Sequence, residues 1–310
     1  MKLETKAGIE ELKAIVEKNP SDYDAQKELA FLYLDDGALN SALEIFIHLT
    51  EIFSTDADLF FNIGIIYEKL KDFPNALISY KKAVELSPND ADFNYNLAFL
   101  YDQMGEVNNA IALYKKVLSL DSQDSNSYFN LGCLLSKLNQ SQDAIFNLEN
   151  AIKLNAEDAY AYFYLAYEYN RTGQKQKAMA FYNKVIEINP EYSWAYYNLA
   201  CMYLEVKDYA RALSYVEKTL EINPNDIEAY KTLAKILYST HRIDDALEQL
   251  NMALEDNPEL ADLHYISAKL YLKQGKKQEA INSYKSALIS PRNLKAPVEK
   301  IKQELNKLLN

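Results

Sequence analysis

Three histidines and two cysteines are the side chains in this 310-residue sequence best suited to bind a metal or attack a substrate. Such chemistry requires convergence, either of ligands at metal-binding spacing or of a nucleophile beside a base. His48, His241 and His264 are widely separated, and neither Cys133 nor Cys201 has a second cysteine or a histidine nearby. There is no G-x-x-x-x-G-K-[ST] phosphate loop, no G-x-G-x-x-G fingerprint, no H-E-x-x-H, no C-x-x-C and no G-x-S-x-G. The sequence therefore predicts no catalytic residue, no metal and no cofactor. Asn139-Gln140-Ser141 and Asn170-Arg171-Thr172 are glycosylation acceptors only in a secretory context. Met1 to Val16 alternates charged with isolated apolar residues and lacks the apolar stretch of a leader. No apolar run approaches the roughly 20 residues that cross a bilayer, so a cytoplasmic chain with no membrane insertion is expected. A formal charge of −12 argues against a phosphate-neutralising surface and hence against nucleic acid.

What the sequence does carry is a period. Counting from Tyr23, eight units of 34 residues follow without insertion or deletion, beginning at Tyr23, Ala57, Ala91, Ser125, Ala159, Ser193, Ile227 and Ala261. Position 20 is alanine throughout, from Ala42 and Ala76 to Ala246 and Ala280, and position 8 is always alanine or glycine. Positions 4, 7, 8 and 11 form one helical stripe and 20, 24, 27 and 28 a second, so each unit reads as two amphipathic helices. Small residues at 8 and 20 let the pair approach closely. Gly37, Gly105, Gly173 and Gly275 share position 15, where the turn between the helices favours a positive φ. Asp22, Asp56, Asp90 and Asp226 stand where N-caps belong. Acids at position 2, namely Asp24, Asp58, Asp92, Glu228 and Asp262, are expected to complement the helix dipole.

Tyr128-x2-Leu131-Gly132, Tyr162-x2-Leu165-Ala166-x2-Tyr169 and Tyr196-x2-Leu199-Ala200-x2-Tyr203 resemble the first helix of the tetratricopeptide repeat. Pro88, Pro190, Pro224 and Pro258 supply that motif's closing proline, whereas Ser54, Ser122, Ala156 and Arg292 replace it. The resemblance implies an all-α solenoid, a right-handed superhelix of antiparallel helix pairs whose inner wall is built from the first helices. Gly8, Leu12, Ile15 and Pro20 continue the register backwards, so residues 1–22 read as a lone second helix, residues 23–294 as eight tandem units and residues 295–310 as a capping helix.

Positions 2, 5 and 9 of the first helix lie opposite the core stripe, where water should favour polar residues. Repeats two to six instead place aromatics there, including Phe61, Tyr95, Phe99, Phe129, Tyr160, Phe163, Tyr167, Trp194 and Tyr197. One-third exposure of each ring would open roughly 450–750 Å² of apolar surface, as large as any patch on a typical monomer. Asn62, Asn96, Asn130 and Asn198 recur at position 6, interrupted by Tyr164. They resemble the asparagine ladder that holds the main chain of extended peptides in superhelical tetratricopeptide proteins. Side-chain amides both donate and accept, so they read backbone rather than sequence. The family's carboxylate clamp needs lysine at position 5 and asparagine at 9, then asparagine at 6 of the next unit, then basic residues at 2 and 6 of the third. No window fits, so chaperone tails are not expected as partners.

Lys231, Lys235, Lys269 and Lys273 fall on the inner wall of repeats seven and eight. Like charges four residues apart cost roughly 0.2–0.5 kcal/mol per pair, and a cost left unrelieved points to an anionic guest. The sequence thus predicts a non-enzymatic interaction module that holds a protein or peptide segment, with acidic and apolar parts, in an aromatic groove. The alternative is a structural protein that self-assembles into homo-oligomers through the same surface or its capped ends.

Overall fold

A computed structural model describes residues 2–290 and 294–309, with side chains from Lys6 onward. Arg292, at the closing position of the eighth repeat, lies outside those residues. The chain divides into two compact units between Ala156 and Glu157. The first contains α1 (Lys2–Lys18), α2 (Tyr23–Asp36), α3 (Leu39–Ile52), α4 (Ala57–Lys69), α5 (Phe73–Leu86), α6 (Ala91–Gln103), α7 (Val107–Leu120), α8 (Ser125–Lys137) and α9 (Ser141–Leu154). The second contains α10 (Ala159–Arg171), α11 (Lys175–Ile188), α12 (Ser193–Glu205), α13 (Tyr209–Ile222), α14 (Ile227–Ser239), α15 (Ile243–Asp256), α16 (Ala261–Lys273), α17 (Lys277–Ala287) and α18 (Val298–Leu309). Even-numbered helices from α2 to α16 are the first of each pair, and no strand occurs among the described residues.

Local chemistry sets these boundaries. Asp22, Asp56, Asp90, Asp124, Asp158 and Asp226 each accept a backbone N–H of the first helical turn. Such a cap typically contributes about 1 kcal/mol. Tyr192 and Leu260 occupy the same slot in the sixth and eighth repeats and make no side-chain cap. The turn inside each pair is left-handed in all eight repeats. Gly37, Gly105, Gly173 and Gly275 have φ of 82°, 77°, 80° and 75°, while Lys71, Asn139, Lys207 and His241 have φ of 60°. The turn geometry therefore belongs to the repeat, and glycine merely suits it.

Packing follows from the small residues. Seven of the eight position-20 alanines have no exposed surface and the eighth, Ala246, has 1%. Position 24 supplies the bulk against them, and Phe46, Tyr80, Tyr114, Tyr182 and Tyr284 are among the largest fully buried side chains. Contact at position 8 is close: a Cβ on Gly64 would lie 2.4 Å from a ring carbon of Tyr80. The Tyr80 hydroxyl donates to Glu68 at 2.8 Å, and burial together with that carboxylate pushes its pKa well above the usual phenol range. In the second unit the faces of Tyr169 and Tyr203 stack on Phe181 and Tyr215, each at an interplanar angle of 7°. Lys177 and Arg211 cover the same two rings at 4.7 and 4.3 Å.

The ends of the described helices are closed by side chains. Ile9 and Leu12 of α1 pack on Ala25 and Leu29 of α2. Ile301 and Leu305 of α18 pack on Tyr284 and Ala287 of α17, and the Tyr284 hydroxyl donates to Glu304 at 2.8 Å. Asp262 departs from the dipole role expected at position 2. It is 1% exposed and accepts the backbone N–H groups of Lys295 and Ala296 at 2.8 and 3.2 Å, so it fixes the segment that leads into α18.

Candidate functional site

The residues with potential for chemistry do not converge. His48 lies 3.7 Å from Glu51 on an exposed surface, and His241 occupies a left-handed turn. His264 contacts the carbonyl of Pro258 at 3.2 Å, and burial holds its pKa below the usual histidine value. Neither thiol is in a disulfide; Cys133 is buried, and burial pushes Cys201 up, away from the reactive thiolate. Among the described residues no group of histidine, cysteine and carboxylates could hold a metal. No helix among the described residues is long and apolar enough to cross a membrane.

The aromatic positions of the first helices sort by exposure. In the first unit Phe61 packs 4.7 Å from Phe93 and 5.7 Å from Tyr80, which half-buries it. Tyr95 sits 5.7 Å from Tyr114, and Phe129 is likewise half-buried, whereas Phe99 is 38% exposed. In the second unit Phe163 lies 5.1 Å from Tyr192 and 5.6 Å from Tyr182, and Tyr197 is half-buried beside Thr232 with its pKa pushed up to about 12, chiefly by burial. Three rings remain largely open: Tyr160 at 59%, Tyr167 at 44% and Trp194 at 54%. Tyr160 and Tyr167 are seven residues apart on one face of α10, and Trp194 holds the equivalent place on α12. With each ring offering roughly 150–250 Å², these exposures sum to roughly 250–400 Å². The position-5 rings contribute less, because they pack on the position-24 tyrosines of their own repeats, Phe61 on Tyr80, Tyr95 on Tyr114 and Phe163 on Tyr182.

Tyr192 contributes to this patch from outside positions 2, 5 and 9. Its ring, just ahead of α12, stands 5.5 Å from Tyr160 and 5.1 Å from Phe163, both on α10. The available signal is a tyrosine in a slot that six other repeats fill with aspartate.

The asparagines are more engaged than a peptide-reading ladder requires. Asn62, Asn96 and Asn198 donate to the carbonyls of Asp58, Asp92 and Trp194, four residues earlier, at 2.7, 2.8 and 2.7 Å. Asn130 donates to the Tyr95 hydroxyl at 3.0 Å. Asn62 is 8% exposed and withdrawn from the surface, a correction to its expected place in the groove. Asn130 also reaches the Tyr114 hydroxyl, so its amide is held between two phenols, whereas Asn96 and Asn198 each make a single side-chain hydrogen bond among the described residues.

The four lysines of repeats seven and eight are brought together. Lys231, Lys235, Lys269 and Lys273 line one cavity of about 350 Å³ between α14 and α16. Lys231 is not unrelieved as its spacing suggested, because Glu228 pairs with it at 2.8 Å.

Models of the tetratricopeptide repeat match residues 57–90, 79–112, 113–146, 159–192, 181–214, 203–270 and 261–288. No curated protein sequence matches the chain. Among solved structures, a MamA protein shares 30% identity over 56% of this chain and 94% of its own, with a TM-score of 0.51. MamA from Desulfovibrio magneticus gives 24% identity, coverage of 55% and 96%, and a TM-score of 0.52. PilF of Pseudomonas aeruginosa gives 18% identity, coverage of 69% and 97%, and a TM-score of 0.57, a likeness of fold alone. Repeat period, buried alanine seams and family match agree, and the chain belongs to the tetratricopeptide repeat family as an all-α solenoid and protein-interaction scaffold.

Proposed function

We propose that this chain is a non-enzymatic adaptor that holds a protein segment against the open face of its first helices, with Tyr160, Tyr167 and Trp194 as principal anchors. The observation that carries this reading is Trp194, a large ring left 54% exposed on a helix face where the core does not need it. Tryptophan and tyrosine in such places account for a disproportionate share of binding energy at protein interfaces. Amide groups at Asn96 and Asn198 lie one helical turn from these rings or their counterparts and offer hydrogen bonds to a bound main chain. Half-buried Phe163 supports this surface from beneath through Tyr192.

A random peptide display library selected on the immobilised protein tests this whatever the partner is. Enriched peptides should bind Trp194→Ala and Tyr167→Ala at least about fivefold more weakly than the unaltered protein, the usual threshold for an anchor. Phe146→Ala, which removes a ring 62% exposed on the second helix α9, should leave affinity unchanged. Equal affinity for all three variants would refute the proposal.

A further inference from the structure

The cavity between α14 and α16 has a floor and a rim of different chemistry. Ala234, Tyr265, Ile266 and Leu270 form a buried apolar floor, with Tyr238 as a partly open wall. Lys231, Lys235, Lys269 and Lys273 stand around it. Lys269 lies 5.4 Å from the centre of the Tyr265 ring and Lys273 lies 5.7 Å from that of Tyr238, so the rings hold the ammonium groups at the edge of the cavity.

Charge balance at this site runs against that of the whole protein. The chain carries a formal charge of −12, yet Lys235, Lys269 and Lys273 have no carboxylate within ion-pair distance among the described residues. The two nearby acids of the first helical turns are already engaged. Glu228 pairs with Lys231, and Asp262 receives the backbone N–H groups of Lys295 and Ala296. Three ammonium groups thus surround an apolar cavity in an otherwise acidic molecule, where unpaired like charges destabilise the empty protein.

We propose that this cavity captures an acidic peptide segment, seating one apolar side chain on the Tyr265 and Ile266 floor while carboxylates on either side meet Lys235, Lys269 and Lys273. The proposal rests on the reading of the chain as a binding module and adds a polarity-selective subsite to it. An inorganic anion would leave the apolar floor unused, and a membrane surface is too flat to enter a cavity of about 350 Å³. A short segment with one leucine-sized side chain between glutamates or aspartates satisfies both floor and rim.

Fluorescence anisotropy with a labelled, C-terminally amidated nonapeptide tests the assignment. Its central leucine is flanked on each side by two glutamates. The protein should bind this peptide, and replacing the glutamates by glutamine or the leucine by serine should weaken binding several-fold. Lys235→Glu with Lys269→Glu should weaken it about tenfold at low salt, with the difference shrinking as salt screens the charges. A control with Lys285→Glu and Lys300→Glu, both exposed away from the cavity, changes net charge equally and should retain affinity. Trp194→Ala should also retain affinity for this peptide, which separates failure of the subsite from failure of the aromatic patch. Equal binding of the glutamate and glutamine peptides, equal loss in the two lysine double variants, or binding only to phosphatidylserine vesicles through Lys235 and Lys269 would each overturn the proposal. Circular dichroism on every variant confirms that each remains folded.

Discussion

Lys207→Gly should stabilise the protein although it removes a side chain and creates no contact. Lys207 occupies the left-handed turn of the sixth repeat at φ 60°, where an L-residue with a Cβ incurs about 1–2 kcal/mol. Glycine removes that strain but loses about 0.5–1 kcal/mol more chain entropy on folding. The net gain is about 0.5–1 kcal/mol. Gly173→Ala in the fifth repeat is the mirror experiment. It sits at φ 80° and a Cβ added there meets nothing within 4 Å, so its loss of about 0.5–1 kcal/mol is purely conformational. Asn139→Gly should gain less than Lys207→Gly, because asparagine tolerates this backbone region better than lysine. With a urea slope of about 2–3 kcal/mol/M, the midpoints followed by far-ultraviolet circular dichroism should move by roughly 0.2–0.4 M in opposite directions. A lower midpoint for Lys207→Gly, or a higher one for Gly173→Ala, would refute the claim that the repeat imposes the turn and glycine only relieves it.

Ala144→Leu should cost about 1–3 kcal/mol by overpacking a site with no exposed surface, while Gln142→Leu, exposed on the same helix, should stay within about 0.5 kcal/mol in the same denaturation assay. Asp262→Ala leaves the N–H groups of Lys295 and Ala296 without their acceptor and should destabilise α18 by about 1–3 kcal/mol, seen as faster amide hydrogen exchange in that helix than in α10. Alkaline pH should unfold the chain. Burial raises the phenol pKa values of Tyr80, Tyr182 and Tyr284 above that of an unfolded tyrosine, with Glu68 and Glu304 adding to the effect at Tyr80 and Tyr284. Their contribution is therefore complete below about pH 10 and falls as pH rises beyond it. Urea midpoints at pH 8 and pH 11 measure this, and Tyr182→Phe should reduce the difference.

The period, the helix pairs and the close alanine seams were legible because each is a property of residue size at fixed spacing. Position 15 was legible only in part. Four glycines announced a left-handed turn, but Lys71, Asn139, Lys207 and His241 adopt it too, since the flanking helices rather than the residue dictate the backbone there. Exposure of the aromatic face could not be read from one helix, because the cover on Phe61 comes from Phe93 in the next repeat and that on Phe163 from Tyr192. The asparagines were recognisable by type and place, yet a carbonyl four residues earlier in the same helix offers them a nearer acceptor than any guest. The relief of Lys231 by Glu228 has a local signal in their spacing of three, whereas the grip of Asp262 on a segment more than thirty residues later has none.

The most direct test of the scaffold reading is site-specific photo-crosslinking to a library-selected peptide. A benzophenone side chain is placed in turn at Tyr167 and Trp194 on the first helices, and at Ile78 and Phe146, which are 66% and 62% exposed on second helices. Covalent capture at Tyr167 and Trp194 with none at Ile78 and Phe146 is the predicted result. Capture confined to the second-helix positions, or spread equally over all four, would contradict it.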